Sequence, residues 1–442
     1  MIAVKKPIVL RVGALAGATA LLLSGCASTE SGATSDSWTI PDEDPTATIK
    51  FVGINDPVKQ NINDIIAAFE KEHPKITVEY EYVPFDDLNT VVDSRVTNKK
   101  GDPDLFYVDQ PRVAALAARG YVEDLTGQFS EYDDLFFKSG IDAGTYQDRL
   151  YAIPMGNSTT VLFYNKDLLD AAGIVPPAPD ERWTWEQLKD AAQKAQEAGA
   201  EYGLLFQQPN RYYQLQNMPA SLEGGSGLTG DDNLTPALVN DGWVESMTFY
   251  QGLFQDGVVP KGVTSEQTDA AFAAGKAAFE VATTDLVGVL QDSAVNWGAS
   301  LQPTFEGADA FTGTGGFAVG MNPFGKNKEA TAIFLRWMLV NGEDGVTGYA
   351  KNRPGGVLPA QKKALEFYLS EPEFTSPQGA QVAEVINLQT DTALPRPATV
   401  GFIEFEEITG RMFSDISNGT DVTTALTTAE GELDTAWAKY KK

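Results

Sequence analysis

The spacing of apolar residues in the first part of the chain changes between the period of a strand and that of a helix. Residues 48–52 read Thr-Ile-Lys-Phe-Val, which predicts a strand. The next apolar positions fall on one face of a helix: Ile62, Ile65, Ile66 and Phe69. The positions after them alternate with polar residues, as in a half-buried strand: Ile76, Val78, Tyr80 and Tyr82. This order predicts a strand–helix–strand unit at the start of the folded region.

Strands and helices continue to alternate along the rest of the chain. Residues 104–108 form another buried-strand pattern, and Thr184 and Gln187 have the spacing of a capping box that begins a helix. A last amphipathic helix is predicted from an apolar stripe: Leu426, Ala429, Leu433, Ala436 and Tyr440. Four tryptophans fall on helix starts or helix faces and are predicted to be core residues: Trp183, Trp185, Trp243 and Trp337. The pattern as a whole predicts an α/β protein.

The N-terminus has the features of an export signal. Lys5, Lys6 and Arg11 precede an apolar run over residues 12–23, which is too short to span a bilayer as a helix. The run ends in a Leu-Ser-Gly-Cys motif that resembles the lipobox of bacterial lipoproteins. We therefore expect residues 1–25 to be removed and Cys26 to be acylated, which anchors the protein outside the cell membrane, or in the periplasm if an outer membrane exists. The alternative is an ordinary signal peptide with an incidental cysteine.

Composition limits both the architecture and the partners. Residues 26–45 are rich in Ser, Thr, Asp and Pro and are predicted to be a disordered tether. The 442-residue chain is long enough for two lobes, and its single cysteine excludes an intramolecular disulfide. The formal net charge is −28, so nucleic acid is not an expected partner. Because scattered surface carboxylates are usually solvated, this charge does not predict a cationic ligand.

The sequence gives little support for catalysis or cofactor binding. Its one histidine, His73, lies in a predicted turn and is expected to be solvated, so a Ser-His-Asp triad and a metal site are not expected. Residues 313–318 match G-x-G-x-x-A but precede a predicted strand rather than a helix, and the chain contains no phosphate-binding P-loop motif. Paired carboxylates leave a secreted carbohydrate-active enzyme open as an alternative.

Polar and aromatic residues recur just after predicted strands, where ligands of open α/β sheets bind. Planar amides and carboxylates can pair with sugar hydroxyls, and aromatic faces can contact the apolar side of a sugar ring. Each residue alone is equally typical of a turn, but their recurrence predicts a binding site. The candidates are Asn55, Asp56, Asp109, Gln110, Asn157, Asn210, Arg211, Tyr212 and Tyr213.

The order of several segments resembles the extracellular solute-binding proteins of ABC importers, of the sugar-binding type that includes maltodextrin-binding proteins. The resemblance extends over nearly all of the chain after the tether. The segments concerned are 65–78, 101–106, 151–155 leading into 162–169, 183–186, 271–279 and 315–319.

The resemblance implies a two-lobed periplasmic-binding-protein-like fold of class II topology, with a ligand cleft that closes by hinge bending. Three interlobe crossings are expected near residues 154–159, 312–316 and 371–381. The first lobe would comprise residues 46–157 and 316–372, and the second residues 158–315 and 373–442. The implied partners are a sugar, two permease subunits and, indirectly, a cytoplasmic ATPase, with the binding protein acting as a monomer without a cofactor.

Transferring the family's binding positions adds Asp285 and Phe402 to seven residues already chosen: Asn55, Asp56, Asp109, Gln110, Asn157, Arg211 and Tyr212. Many sugar-binding relatives place a tryptophan after the position of Phe279, whereas residues 280–288 contain none. The stacking face would then come from another aromatic residue (Tyr212, Tyr213, Phe402 or Phe405), or the ligand would be a smaller polyol. A surface receptor without a transport role is a further alternative to an importer subunit.

Overall fold

A computed structural model describes residues 38–54, 62–84, 87–230, 232–352, 358–389 and 392–441. The predicted signal peptide, Cys26, Asn55 and Asp56 lie outside the described residues. Residues 38–442 form one compact unit. In the part of the chain that is described, no helix is both long enough and apolar enough to span a bilayer.

The strands range from two-residue bridges to one strand of fourteen residues. They are β1 Ala47–Gly53, β2 Ile76–Tyr82, β3 Leu105–Asp109, β4 Thr145–Tyr146, β5 Arg149–Leu150, β6 Ala152–Asn165, β7 Tyr202–Phe206, β8 Leu228–Thr229, β9 Thr235–Pro236, β10 Ala277–Thr283, β11 Trp297–Ser300, β12 Thr312–Met321, β13 Leu358–Pro359 and β14 Ala393–Pro395.

The helices alternate with these strands and dominate the C-terminal part. They are α1 Ile62–Glu72, α2 Leu88–Val96, α3 Val113–Ala118, α4 Thr126–Phe129, α5 Lys138–Gly144, α6 Lys166–Ala171, α7 Trp185–Glu197, α8 Tyr212–Leu215, α9 Asn217–Ser221, α10 Asp241–Gln255, α11 Ser265–Ala273, α12 Leu286–Leu290, α13 Lys328–Arg336, α14 Glu343–Asn352, α15 Lys362–Leu369, α16 Pro372–Thr375, α17 Pro377–Gln389, α18 Phe402–Asn418 and α19 Val422–Trp437.

Ten strands form one mixed sheet whose main order is β2-β1-β3-β12-β6-β10-β7. β1 pairs in parallel with β2 and β3, while β12 runs antiparallel to both β3 and β6. The second half of β6 pairs antiparallel with β10, which pairs in parallel with β7. β6 therefore connects two groups of strands, and each group has helices packed against it.

Buried apolar residues form separate cores on the two sides of β6, which gives the two-lobed α/β fold. The first core includes Phe51, Phe69 and Met155. On the other side, Leu162 belongs to a core with α7, α10, α18 and α19, and Val161 belongs to a smaller core with α15 and α17. Helix α14 contributes Tyr349 to the first core and Val346 and Ala350 to the smaller core on the other side. The exact lobe boundaries therefore stay a prediction.

The local sequence patterns are confirmed where they were strongest. The apolar face of α1 is buried, and β1, β2 and β3 form as expected. Thr184 and Gln187 make the predicted capping box at the start of α7. Trp185, Trp243 and Trp337 are buried core residues, and Trp183 packs against the second core while partly exposed.

Two predictions for polar segments need correction. His73 is not simply solvated, because its ring stacks on Phe69 at 4.6 Å and its Nδ1 lies 3.0 Å from Asp44. Trp38 lies within the segment 26–45 that was predicted to be a disordered tether, yet it donates a hydrogen bond from Nε1 to Glu123 at 2.8 Å and packs against the first core. The apolar surface of Trp38 explains why its segment binds the first lobe.

Candidate functional site

A cavity of about 1370 Å³ lies between residues of the two lobes. Its first-lobe side includes Tyr82 and Asp109, and its second-lobe side includes Arg211 and Asp285. These side chains come from the ends of strands or from the loops that follow them. Ligand sites of open α/β sheets have this location. We refer to this cavity as the cleft.

The floor of the cleft is formed by an ion pair between Asp109 and Arg396, called here the floor pair. Both guanidinium Nη atoms donate to the two carboxylate oxygens of Asp109, one of them at 2.8 Å. Burial lowers the pKa of Arg396, but the neighbouring Asp109 outweighs burial and raises it above the ordinary arginine value. The arginine therefore stays charged, and the pair presents fixed donors and acceptors next to the cavity.

Tyr213 covers the floor pair from the second lobe. The guanidinium carbon of Arg396 lies 5.5 Å from the centre of the Tyr213 ring, within the range of a cation–π contact. The Tyr213 hydroxyl lies 2.7 Å from Ser158 Oγ, and Ser158 donates to the carbonyl oxygen of Gly315 at 2.9 Å. Burial raises the pKa of Tyr213, so the hydroxyl remains neutral. These contacts join β6, β12 and α8 at the bottom of the cleft.

Gly315 makes room for the floor pair. A Cβ atom at this position would lie 2.8 Å from Nη2 of Arg396 and 3.0 Å from a ring carbon of Tyr213. Both distances are too short for an unstrained carbon contact. A larger residue here would therefore require Arg396 or Tyr213 to shift, because both side chains approach the backbone of β12.

The predicted residues Tyr212 and Phe402 line the cleft, but both are buried in its wall. The Tyr212 hydroxyl donates to the carbonyl oxygen of Ser226 at 2.8 Å, and its ring contacts Phe405 at 4.8 Å. Phe402 and Phe405 are fully buried in the same aromatic cluster. Phe402 lines the cleft, whereas Phe405 is a core residue and does not offer a stacking face.

Gln110 and Asn157 lie beside the cleft and do not line it. Gln110 Nε2 donates to Asn157 Oδ1 at 2.8 Å and to the carbonyl oxygen of Gly156 at 3.3 Å. Asn157 Nδ2 in turn donates to Ser139 Oγ at 3.4 Å. In this arrangement the two amides hold the first half of β6 against the end of β3.

An acidic wall, defined here as Gln207, Asp269, Thr283 and Asp285, forms the second-lobe side of the cleft. Gln207 Nε2 donates to both carboxylate oxygens of Asp269 at 3.2 Å. Gln207 Oε1 accepts a hydrogen bond from the Thr283 backbone N–H at 2.9 Å, and the Thr283 hydroxyl contacts Asp285. The amide of Gln207 thus fixes the two carboxyl groups relative to the ends of β7 and β10.

Burial and mutual repulsion make the acidic wall unfavourable to charge. Burial and the nearby Asp285 raise the pKa of Asp269 to about 7. The side chain of Asp285 is exposed inside the cleft, yet desolvation by the surrounding walls still raises its pKa. Behind the wall, burial and Asp269 raise the pKa of Glu280. The wall therefore carries less negative charge at neutral pH than its composition suggests.

Residues that sequence reasoning missed make up much of the cleft. Gln207 follows β7 directly, so the rule that selected Arg211 could have found it. Asp269 lies on α11 and Arg396 in the loop after β14, where no sequence pattern indicates a function. Glu406, on α18, also lines the cleft and lies 3.6 Å from Arg112. Burial and Asp109 raise the pKa of Glu406.

The comparisons with known structures agree with this architecture. An ABC substrate-binding protein from Listeria monocytogenes, solved in complex with cycloalternan, superposes with a TM-score of 0.76 at 24% identity over 88% of this chain and 98% of that chain. The GacH receptor of Streptomyces glaucescens, solved unliganded and with acarbose, gives a TM-score of 0.75 at 21% identity over 89% and 99% of the two chains. At these identities the likeness shows the shared fold.

Sequence comparisons lead to the same group of proteins. The galactooligosaccharide-binding protein of Bacillus subtilis is 27% identical over 362 residues, which is 79% of this chain and 79% of the relative. The family model described as bacterial extracellular solute-binding protein matches residues 55–344, more than half of the chain. The match includes the segments that form β3, β6, the acidic wall and β12. The chain therefore belongs to the family of bacterial extracellular solute-binding proteins.

Proposed function

We propose that this protein is the substrate-binding subunit of an ABC importer and that it captures a mono- or oligosaccharide in the cleft. The observation that supports this most is the floor pair, in which Asp109 and Arg396 present fixed hydrogen-bonding groups between the two lobes. A sugar offers many hydroxyl groups that both donate and accept. Paired charges of opposite sign can bind such a ligand without requiring that it be charged.

The other cleft residues fit the same ligand class. Gln207, Gln208 and Asn210 add amide groups, and Arg211 adds a second guanidinium. Tyr82 lines the cleft with 44% of its surface exposed, so its ring is available to the apolar face of a sugar. Tyr82 is a better candidate for the missing stacking platform than Tyr212, which is buried. The cleft volume is sufficient for an oligosaccharide.

The ligands named for the relatives support a carbohydrate. Galactooligosaccharide and cycloalternan are both built from several sugar units, and both relatives are binding proteins. By the same argument the protein binds its ligand without converting it, and it passes the ligand to two permease subunits powered by a cytoplasmic ATPase. It acts as a monomer in this scheme.

A thermal-shift screen of residues 38–442 tests the proposal, because these residues form one compact unit. The ligands are mono- and oligosaccharides, polyols and amino acids. A ligand at about 100 times its dissociation constant stabilises the folded protein by about 2.7 kcal/mol, which gives a clear rise in Tm. The proposal expects the largest rise with a carbohydrate. A rise with amino acids alone, or with none of the carbohydrates, would contradict it.

We further propose that Cys26 anchors the protein to the membrane through acyl chains. The supporting observation is the apolar run over residues 12–23 followed by Leu-Ser-Gly-Cys. Cys26→Ala is expected to release the protein from the membrane fraction or to leave its signal peptide uncleaved. Fractionation and metabolic labelling with a radioactive fatty acid measure this. Normal lipid labelling of the Cys26→Ala protein would contradict the anchor.

A further inference from the structure

The acidic wall differs from the other acidic groups of the cleft in having no cationic partner among the described residues. Asp109 is paired with Arg396, and Glu406 lies 3.6 Å from Arg112. Asp269 and Asp285 make no ion pair in the described part of the chain, and no lysine, arginine or histidine there contributes to their pKa shifts. Their hydrogen-bond donors are neutral groups: the Gln207 amide, the Thr283 hydroxyl and backbone N–H groups.

A third carboxyl group, that of Glu280, lies behind the acidic wall next to Asp269. Glu280 is 0% exposed, and neither of its carboxyl oxygens has a hydrogen-bond partner among the described residues. The hydroxyl of Thr268 is nearby, but it donates to the carbonyl oxygen of Ser265 at 2.7 Å. The group that Glu280 faces is the carboxyl of Asp269. Two carboxyl groups thus line this side of the cleft and a third lies buried behind them, and no positive charge from the described residues accompanies them.

A neutral ligand does not offset the unfavourable burial of such a carboxyl cluster. Burying carboxyl groups near one another raises their pKa values and destabilises the charged forms. Hydroxyl groups of a neutral sugar can donate to Asp269 and Asp285, but they add no positive charge. An ammonium group supplies both hydrogen-bond donors and the missing charge. Among the described residues, no set of three or more histidine, cysteine or carboxyl groups is arranged to hold a metal ion.

We propose that the acidic wall binds the ammonium group of an amine-bearing carbohydrate, such as an amino sugar or an aminocyclitol unit. The inference rests on the proposed function and names the ligand class of the same cleft. The floor pair binds neutral hydroxyl groups of the ligand, and Asp269 and Asp285 contact the amine from the second lobe. Gln207 Nε2 lies within hydrogen-bonding distance of both Asp269 and Asp285, at 3.2 and 3.5 Å, and so holds the two carboxyl groups beside each other.

The test compares ligands that differ in one substituent. Chitosan trisaccharide and cellotriose are both β-1,4-linked trimers, with an amine in the first where the second has a hydroxyl group. Glucosamine with glucose and galactosamine with galactose form two smaller pairs. Isothermal titration calorimetry at pH 7 measures the dissociation constants for residues 38–442. In at least one pair, the amine is expected to bind about tenfold more tightly or better, as a charge-assisted hydrogen bond predicts.

The variants Asp269→Asn and Asp285→Asn test whether the preference for the amine comes from the acidic wall. Each keeps the shape of the side chain and removes its charge, so the amine is expected to lose more affinity than the neutral ligand of the pair, and the ratio of the two dissociation constants is expected to fall at least threefold. Glu245→Gln is the control, because Glu245 is an exposed residue of α10 away from the cleft and its loss changes the net charge equally. The control is expected to keep the full preference.

Each other outcome has a definite meaning. If neutral sugars bind and no amine is preferred, the inference is wrong and the carbohydrate-binding function stands. If the preference persists in both asparagine variants, the amine is bound elsewhere and the assignment to this wall is wrong. If no carbohydrate of either kind binds, the proposed function fails, and this inference fails with it.

Discussion

At the scale of single residues, the cleft depends on charges that neutralise each other across long distances in the sequence. Asp109 and Arg396 are 287 positions apart and make a two-pronged contact in which the arginine side chain is 8% exposed. Removing either charge would leave the other one poorly solvated. Effects on ligand binding and on folding are therefore expected together at this pair.

Substituting Arg396 tests the floor pair. Arg396→Met keeps much of the side-chain volume but leaves Asp109 without its partner, so carbohydrate binding is expected to weaken about tenfold or more and Tm to fall. Arg396→Lys is expected to be intermediate, since an amine cannot make the same two-pronged contact. Titration calorimetry and thermal unfolding give both values.

The control for this substitution is Arg411→Met on α18, whose side chain is 59% exposed and pairs with Glu432. Exposed pairs of this kind contribute little to stability, so this variant should behave as the unmodified protein. Equal affinity in Arg396→Met and the unmodified protein would remove the floor pair from the binding site.

The acidic wall makes a prediction about pH and stability. The pKa of Asp269 is raised to about 7 in the folded protein, mainly by burial, whereas an unfolded aspartate titrates near 3.9. Between these values the folded state binds more protons than the unfolded state, so the free energy of unfolding falls as the pH rises from about 4 through about 7. The raised pKa values of Glu280 and Asp285 act in the same direction.

Urea unfolding of the Asp269→Asn variant across this pH range measures the effect. The variant lacks the titrating group, so its stability is expected to fall less steeply than that of the unmodified protein. The Glu245→Gln variant is the control and should follow the unmodified protein. If Asp269→Asn shows the same pH dependence as the unmodified protein, Asp269 is not the group that titrates.

At the scale of elements, the sequence predicted those parts of the fold whose signals are local. The apolar face of α1 and the capping box of α7 depend on residues within one or two turns, and both are present. The extent of β6 was not predicted, because Pro154 interrupts the strand pattern. The structure accommodates Pro154 opposite Ala318, where an irregularity in the pairing with β12 relieves the missing hydrogen bond.

The candidate site was predictable in part for the same reason. Strand ends are local features, and they led to Asp109, Arg211 and the chain segment around Tyr213, all of which line the cleft. Arg396 and Asp269 reach the cleft only through tertiary packing, and neither follows a predicted strand of the main sheet. Hydrogen bonds within the protein also decide which candidate side chains can bind a ligand, and they could not be read from the sequence. Tyr212 donates its hydroxyl to Ser226, and Gln110 donates to Asn157.

Strand β12 provides a prediction at this scale. Gly315→Ala would place a methyl group 2.8 Å from Arg396 Nη2, so we expect the guanidinium to shift and its contact with Asp109 to weaken. Ligand affinity is expected to fall about tenfold without any change of charge.

Gly431→Ala on α19 is the matched control, since no atom lies within 4 Å of a Cβ there. That substitution should leave binding unchanged and stabilise the helix by about 0.5–1 kcal/mol. Normal affinity in Gly315→Ala would show that the close approach is unimportant.

At the scale of the whole molecule, β6 is a continuous strand that connects the cores of the two lobes. Met155 belongs to the first core, whereas Val161 and Leu162 belong to the two cores on the other side. On either side of the cleft, Tyr82 of β2 and Val289 of α12 each leave 44% of their surface exposed. Closing the lobes around a ligand would bury these apolar surfaces and add a favourable contribution.

Closure also gives the ligand contacts with both lobes at once. A ligand that touches Asp109 on one side and Arg211 or Asp285 on the other makes more contacts in the closed form, so binding shifts the population toward closure. Moving from mostly open to mostly closed requires about 5.5 kcal/mol of differential binding. Several hydrogen bonds of roughly 1 kcal/mol each, with more for the charged groups, are sufficient. The permease can then recognise the closed shape as the loaded state.

Small-angle X-ray scattering of residues 38–442, with and without the best carbohydrate from the thermal-shift screen, measures whether the lobes close around the ligand. We expect a smaller radius of gyration with the ligand, and chromatography after long incubation should recover that ligand unaltered. The Arg396→Met variant should need a higher ligand concentration to reach the same compact form. A radius of gyration that does not change at saturating ligand would contradict capture by closure, and a cleaved ligand would place the protein among enzymes.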